Sequence, residues 1–178
     1  MDGEKPTALL GGRPLISYPL TAARETGLET LVVAKRATRL PPLAEPVLHE
    51  PDEPAHPLCG MLAALDFALA RTPSPAVLFV GCDMPFLTER LLRWMAELGR
   101  TTLAEVGGQV QPLPVLCAAE HRAALSDSLA AQRSLRSALG ALSPRLLEEA
   151  ELRRFGTPER LWRSVNTPHE LADAERFL

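Results

Sequence analysis

At 178 residues, 46% of them apolar, the chain is long enough to bury a sizeable core and too apolar to be disordered. Its formal net charge of −3 excludes a globally basic nucleic-acid surface, and an aromatic content of 4% argues against a base-stacking module. The three cysteines, Cys59, Cys82 and Cys117, form no CxxC pair, and the four histidines complete no zinc pattern, so reduced thiols are expected.

No apolar run reaches transmembrane length, and the first residues lack the charged and apolar regions of a signal peptide. The expectation is a cytoplasmic protein that engages neither membrane nor nucleic acid. With no internal repeat, low-complexity tail or linker, residues 1–178 read as one domain.

In chain order, Pro14 to Glu25 reads as a helix, with Pro14 in its first turn and Gly27 after its end. Leu31 to Ala34 and Pro46 to His49 read as short strands, and Leu58 to Ala70 as an apolar helix. Ala76 to Val80 follows the breaker Thr72-Pro73-Ser74-Pro75. As a continuous apolar run it predicts a strand buried on both faces, as in a parallel sheet. Thr88 to Leu98 reads as a helix with a Thr-Glu start and Gly99 at its end. Two strands, Thr101 to Val106 and Val110 to Ala118, flank Gly107-Gly108. Helices follow over Glu120 to Ala130, Ser134 to Leu139 and Pro168 to Phe177. Alternating strands and helices predict an α/β fold, three-layered and Rossmann-like, with a mostly parallel sheet.

Asp83 stands just past the strand that ends at Val80, on the sheet edge where open α/β folds bind ligands. By residue type it is equally a turn residue or an oxygen ligand for a hard divalent cation that bridges to phosphates. Lys5 reads on its own as an exposed lysine near a terminus. Gly11-Gly12-Arg13-Pro14 reads as a turn into the first helix. Thr7 to Gly12 matches a phosphate loop only weakly, since no GK[ST] follows. Asp52 fits a turn, and Gly60 allows close approach of a helix or ligand. Thr167, Pro168 and Glu170 form a capping arrangement, which leaves Asn166 free of a structural assignment.

Taken together, these segments resemble the molybdenum cofactor guanylyltransferase family. The family pattern runs LAGGxSxRMGxxK, GxPL, an Asp before GPLAGxxxAL, CDMPFL, QPL and NTPEEL. The chain offers Lys5, Gly12-Arg13-Pro14-Leu15, Asp52, Pro57 to Leu65, Cys82-Asp83-Met84-Pro85-Phe86-Leu87, Gln111-Pro112-Leu113 and Asn166-Thr167-Pro168-His169-Glu170-Leu171. The likeness spans nearly the whole chain. It implies a Mg²⁺-dependent nucleotidyltransferase that joins GMP from GTP to molybdopterin, with other cofactor-assembly proteins as further partners. It implies Asp83 as the metal ligand, Asp83 and Lys5 as catalytic groups, and Lys5, Asp52, Gly60, Asp83 and Asn166 as the nucleotide-binding set.

The likeness begins after the family's first strand and glycine-rich LAGGxSxR loop, with Met1 aligned to the methionine that follows them. Weak GTP binding by the chain as written is the resulting expectation. Ala34-Lys35 stands where the family often has an Asn near the base, His56 replaces a Gly, and Ser164 replaces the first Asn of an NVN pattern. Two alternatives are a related cytidylyl- or sugar-nucleotide transferase and a non-catalytic relative that binds partners in cofactor assembly.

Overall fold

Two adjacent glycines with positive φ, Gly11 (+53°) and Gly12 (+76°), shape the first turn. That conformation matches the two-residue turn that closes a twisted hairpin, and it pairs β1 (Leu9–Leu10) antiparallel with β2 (Arg13–Pro14). Pro14 therefore lies in β2 and not in the first helical turn, because the hairpin takes up the residues before α1 (Ser17–Glu25). This computed structural model describes residues 5–178; Met1, where the family likeness starts, lies outside the described residues.

The chain continues through β3 (Val32–Ala34), β4 (Val47–His49), α2 (Pro57–Leu69), β5 (Ala76–Phe79) and α3 (Glu89–Glu97). Next come β6 (Thr102–Val106), β7 (Gln109–Ala118), α4 (Arg122–Ala130), α5 (Leu135–Gly140) and β8 (Arg145–Leu147). The short helices α6 (Glu149–Leu152) and α7 (Pro158–Leu161) precede α8 (Pro168–Glu175). Local chemistry sets several boundaries. The Thr88 hydroxyl accepts from the Leu91 N–H at 3.3 Å and starts α3, and the Ser134 hydroxyl accepts from the Ser137 N–H and starts α5. At α8, Thr167 and Glu170 exchange reciprocal bonds, as their spacing predicts.

The fold is α/β, with β5, β7, β6 and β8 forming one four-stranded sheet in that order. The sheet is mixed: β7 runs antiparallel to both β5 and β6, and only β6–β8 is parallel. The expectation of mostly parallel pairing gives way because Gly107-Gly108 joins β6 to β7 as a tight hairpin, which forces antiparallel neighbours. Side chains alternate across this sheet. Leu103 faces Leu58, Met61 and Leu65 of α2 and Leu125 of α4, whereas Ala104 and Val106 face Leu91, Leu92 and Met95 of α3. Two apolar layers thus sandwich the strands.

The strands β3 and β4 pair in parallel as a separate ladder, not hydrogen-bonded to β5 among the described residues. This corrects the reading of Ala76 to Val80 as buried on both faces. Ala76 is exposed and Val77, Leu78, Phe79 and Val80 are half-buried, because β5 has β7 on one side and no described strand on the other. Helix α2 spans the interval, touching β3, β4 and β5.

Candidate functional site

A small apolar cluster ties together three segments distant in sequence. Leu10 and Leu15 from the hairpin, Phe86 from the loop after β5, and Val165 and Ala174 from the C-terminal region pack on one another, each buried. Each segment carries a polar residue beside its buried anchor. Lys5 precedes the hairpin, Asp83 lies three residues before Phe86, and Asn166 follows Val165. Backbone bonds fix the registration: the Val165 N–H donates to the Asp83 carbonyl at 2.8 Å, and the Leu15 and Ile16 N–H groups donate to Ala8 and Pro6.

The three polar groups converge. The Lys5 ammonium lies 3.6 Å from Asp83 Oδ2 and donates to Asn166 Oδ1. Asn166 Nδ2 donates to Ser164 Oγ at 2.9 Å. The main-chain N–H of Asn166 donates to Glu170 Oε2 at 2.7 Å, as does that of Thr167 at 2.9 Å. The Asn166 N–H foremost, with the Thr167 hydroxyl and N–H, holds the Glu170 carboxyl below the usual carboxylate range. Glu170 therefore stays ionised and keeps the turn bearing Asn166 in place.

Gly81 is a site residue that motif reading passed over. A Cβ there would sit 2.5 Å from Asp83 Oδ1, so only glycine leaves room for the carboxylate in this position. Its signal in the sequence is a glycine between the end of a strand and an acidic residue. The neighbouring Cys82 takes no nucleophilic role: burial, with the charge of Asp83 second, pushes its thiol up to about 11. It is protonated at neutral pH and packs against Ile16, Leu20, Val32 and Ala34.

Asp52 and Gly60 make their contacts elsewhere. The Lys35 ammonium donates to the Asp52 carbonyl. A Cβ on Gly60 would lie 3.0 Å from Glu50 Oε2 and 3.4 Å from Val33, so the glycine lets Glu50 rest on the first turn of α2. Burial pushes the Glu50 carboxyl up, Lys35 opposes that shift, and Asp52 reinforces it. Motif reading noted Lys35 only as a departure from the family pattern and passed over Glu50; the signal of both was a charged residue just past each of two adjacent parallel strands.

Among the described residues, no three His, Cys, Asp or Glu side chains converge as a metal cage. Asp83 and Asn166 do offer two oxygens around one cationic group. That donor set suits Mg²⁺, which is commonly held by one or two carboxylates with phosphates and water filling its other positions. The site thus combines an ammonium, a carboxylate and an amide oxygen, a set that could neutralise and orient a polyphosphate if a divalent cation bridged the two oxygens to it. No helix among the described residues is long and apolar enough to cross a membrane.

Comparisons with known proteins agree with this reading of the fold. Residues 1–147 match the family model described as "MobA-like NTP transferase domain". No curated protein matches the chain. Among solved structures, the chain is similar to molybdopterin-guanine dinucleotide biosynthesis protein A from Archaeoglobus fulgidus. That match has a TM-score of 0.77 and 19% identity, over 98% of this chain and 90% of that one. It is also similar to 2-C-methyl-D-erythritol 4-phosphate cytidylyltransferase from Thermus thermophilus, with a TM-score of 0.72 and 19% identity over 97% and 92% of the two chains. A third likeness, at a TM-score of 0.70 and 10% identity over 98% and 93%, is to 4-diphosphocytidyl-2C-methyl-D-erythritolsynthase from Anaerococcus prevotii. At these identities the likeness establishes the fold.

Proposed function

The chain belongs to the MobA-like NTP transferase domain family, and from that premise we propose that it is a molybdenum cofactor guanylyltransferase acting in the cytoplasm as a single domain. In the reaction, an oxygen of the molybdopterin phosphate attacks the α-phosphorus of GTP. The bond from that phosphorus to the oxygen bridging to the β-phosphate breaks, pyrophosphate leaves, and the guanine dinucleotide form of the cofactor results.

The observation that carries the reading is the convergence of Lys5, Asp83 and Asn166 from three separate segments. Lys5 neutralises the triphosphate as charge moves onto the leaving pyrophosphate. Asp83 and Asn166 Oδ1 would hold Mg²⁺, which when bound supplies further neutralisation of the phosphates. Asp52 and Gly60, beside Lys35 and Glu50 and past the parallel pair β3–β4, form the base end of the nucleotide site. No acid–base dyad is required, because transfer of this kind depends on alignment and charge.

Titration calorimetry with Mg²⁺ and either GTP or CTP tests the nucleotide assignment. GTP is expected to bind at least about tenfold more tightly, a difference of ~1.4 kcal/mol. Equal affinity, or tighter binding of CTP, removes the guanylyl assignment and favours a cytidylyltransferase.

A further inference from the structure

We propose that Ser164 is a positioning residue that decides which end of the Asn166 amide faces the cation site, an inference that rests on the metal-assisted nucleotidyl transfer proposed above. A side-chain amide has two unlike ends: one oxygen that only accepts and one NH₂ that only donates. Only the oxygen suits an ammonium or a hard divalent cation; the NH₂ end turned inward repels both.

Packing does not make that choice, because Asn166 is exposed. Its main chain is held by the bond from its N–H to Glu170 Oε2 at 2.7 Å, which leaves rotation of the amide itself. Ser164 Oγ fixes that rotation by accepting from Nδ2 at 2.9 Å, so that Oδ1 turns to Lys5 and the side on which Asp83 lies. Ser164 is itself well placed to serve as a reference point. It is half-buried, and the next residue, Val165, is fully buried and bonded through its N–H to the Asp83 carbonyl at 2.8 Å. The hydroxyl is thus anchored to the same stretch of chain that carries the carboxylate.

The amide needs orienting; a carboxylate does not, since either of its oxygens faces a cation equally well. This difference supplies a double-mutant test. Mg²⁺ would be titrated into the full chain and followed by NMR at the side-chain amide of Asn166 and by calorimetry, with no turnover involved. In Ser164→Ala the Nδ2 protons should lose their hydrogen-bonded shift and exchange faster, and Mg²⁺ should bind about three- to tenfold more weakly. Ser164→Thr, which keeps the hydroxyl, should restore both. In an Asn166→Asp background, Ser164→Ala should change Mg²⁺ affinity by less than about twofold.

The proposal is overturned if the alanine variant loses the same factor in both backgrounds, if the threonine variant is as weak as the alanine variant, or if Mg²⁺ leaves the Asn166 amide unmoved. Failure of the wild-type chain to transfer nucleotide from GTP, with these binding results intact, would instead refute the guanylyltransferase reading and leave the role of Ser164 standing.

Discussion

Replacing Asp83 by asparagine removes one negative charge and almost no volume. The backbone carbonyl that receives the Val165 N–H at 2.8 Å is untouched, so the turn should hold. The lost ion pair with Lys5 spans 3.6 Å between side chains 34% and 22% exposed. Partly screened pairs of this kind contribute at most about 1 kcal/mol. For a domain of this size that corresponds to roughly 2–4 °C in Tm. The catalytic cost is set by a different scale. Removing a group aimed at developing charge in an active site costs about 2.7–4 kcal/mol, or roughly 100- to 1,000-fold in rate. Thermal unfolding and a Mg²⁺-dependent transfer assay on Asp83→Asn should therefore separate, with a small change in Tm and at least a hundredfold loss of turnover. Activity within about tenfold of wild type, or a Tm loss well beyond that range, would refute the assignment of Asp83 to the chemistry.

Gly81→Ala should force the Asp83 carboxylate aside, since the added methyl would meet Oδ1 at 2.5 Å; transfer activity should fall at least about tenfold, and further in kcat/KM than stability alone accounts for. Glu50 tests the charge balance beside Lys35 and Asp52 through pH. Burial raises its carboxyl above the ordinary 4.5, so the folded chain holds that proton more tightly than the unfolded one. Its contribution to stability is present in acid and is lost as pH rises from about 4.5 through the raised value. Glu50→Gln should thus melt higher than wild type near neutral pH and show no such gain at about pH 4, as followed by circular dichroism. Thr88→Ala removes the hydroxyl that accepts from the Leu91 N–H at 3.3 Å; it should cost about 1 kcal/mol in urea unfolding and leave nucleotide affinity unchanged.

Elements whose signal is local were legible in the sequence. The helices α2, α3 and α8 lie within a residue or two of the spans that their caps and breakers predict, and the Gly107-Gly108 turn marked the β6–β7 boundary. The pairing of strands was not legible, because it depends on neighbours far away in the chain. The apolar run of β5 reads as doubly buried, yet its observed exposure follows from having one neighbouring strand, which no local pattern records. The strand β8 escaped notice for the same reason: Arg145-Leu146-Leu147 is short and gains its identity only by lying parallel to β6.

The site divides along the same line. Asp83 stood out by its place past a strand, with a turn and a metal ligand as equal readings, whereas Lys5 read as an ordinary exposed lysine and Asn166 had no assignment until the family likeness singled them out. What the structure adds is their common meeting point, created by the buried contacts of Leu10, Leu15, Phe86 and Val165. Gly81 went unmarked for want of a motif, and Ser164 was noted only as a departure from an NVN pattern, since their importance lies in the space and the hydrogen bond they give a neighbour. Asp52 and Gly60 make their contacts with Lys35, Glu50 and Val33. Their place at the base end of the nucleotide therefore belongs to the proposal and not to the observed cluster.

Product analysis tests the central claim most directly. Purified protein would be incubated with Mg²⁺, molybdopterin cofactor and an equimolar mixture of GTP and CTP, with pyrophosphate measured and the pterin products identified by mass spectrometry. The guanine dinucleotide form of the cofactor, made together with an equal amount of pyrophosphate and only when molybdopterin is present, is the expected result. A cytosine dinucleotide as the main product, or no dinucleotide from a folded preparation, would contradict it.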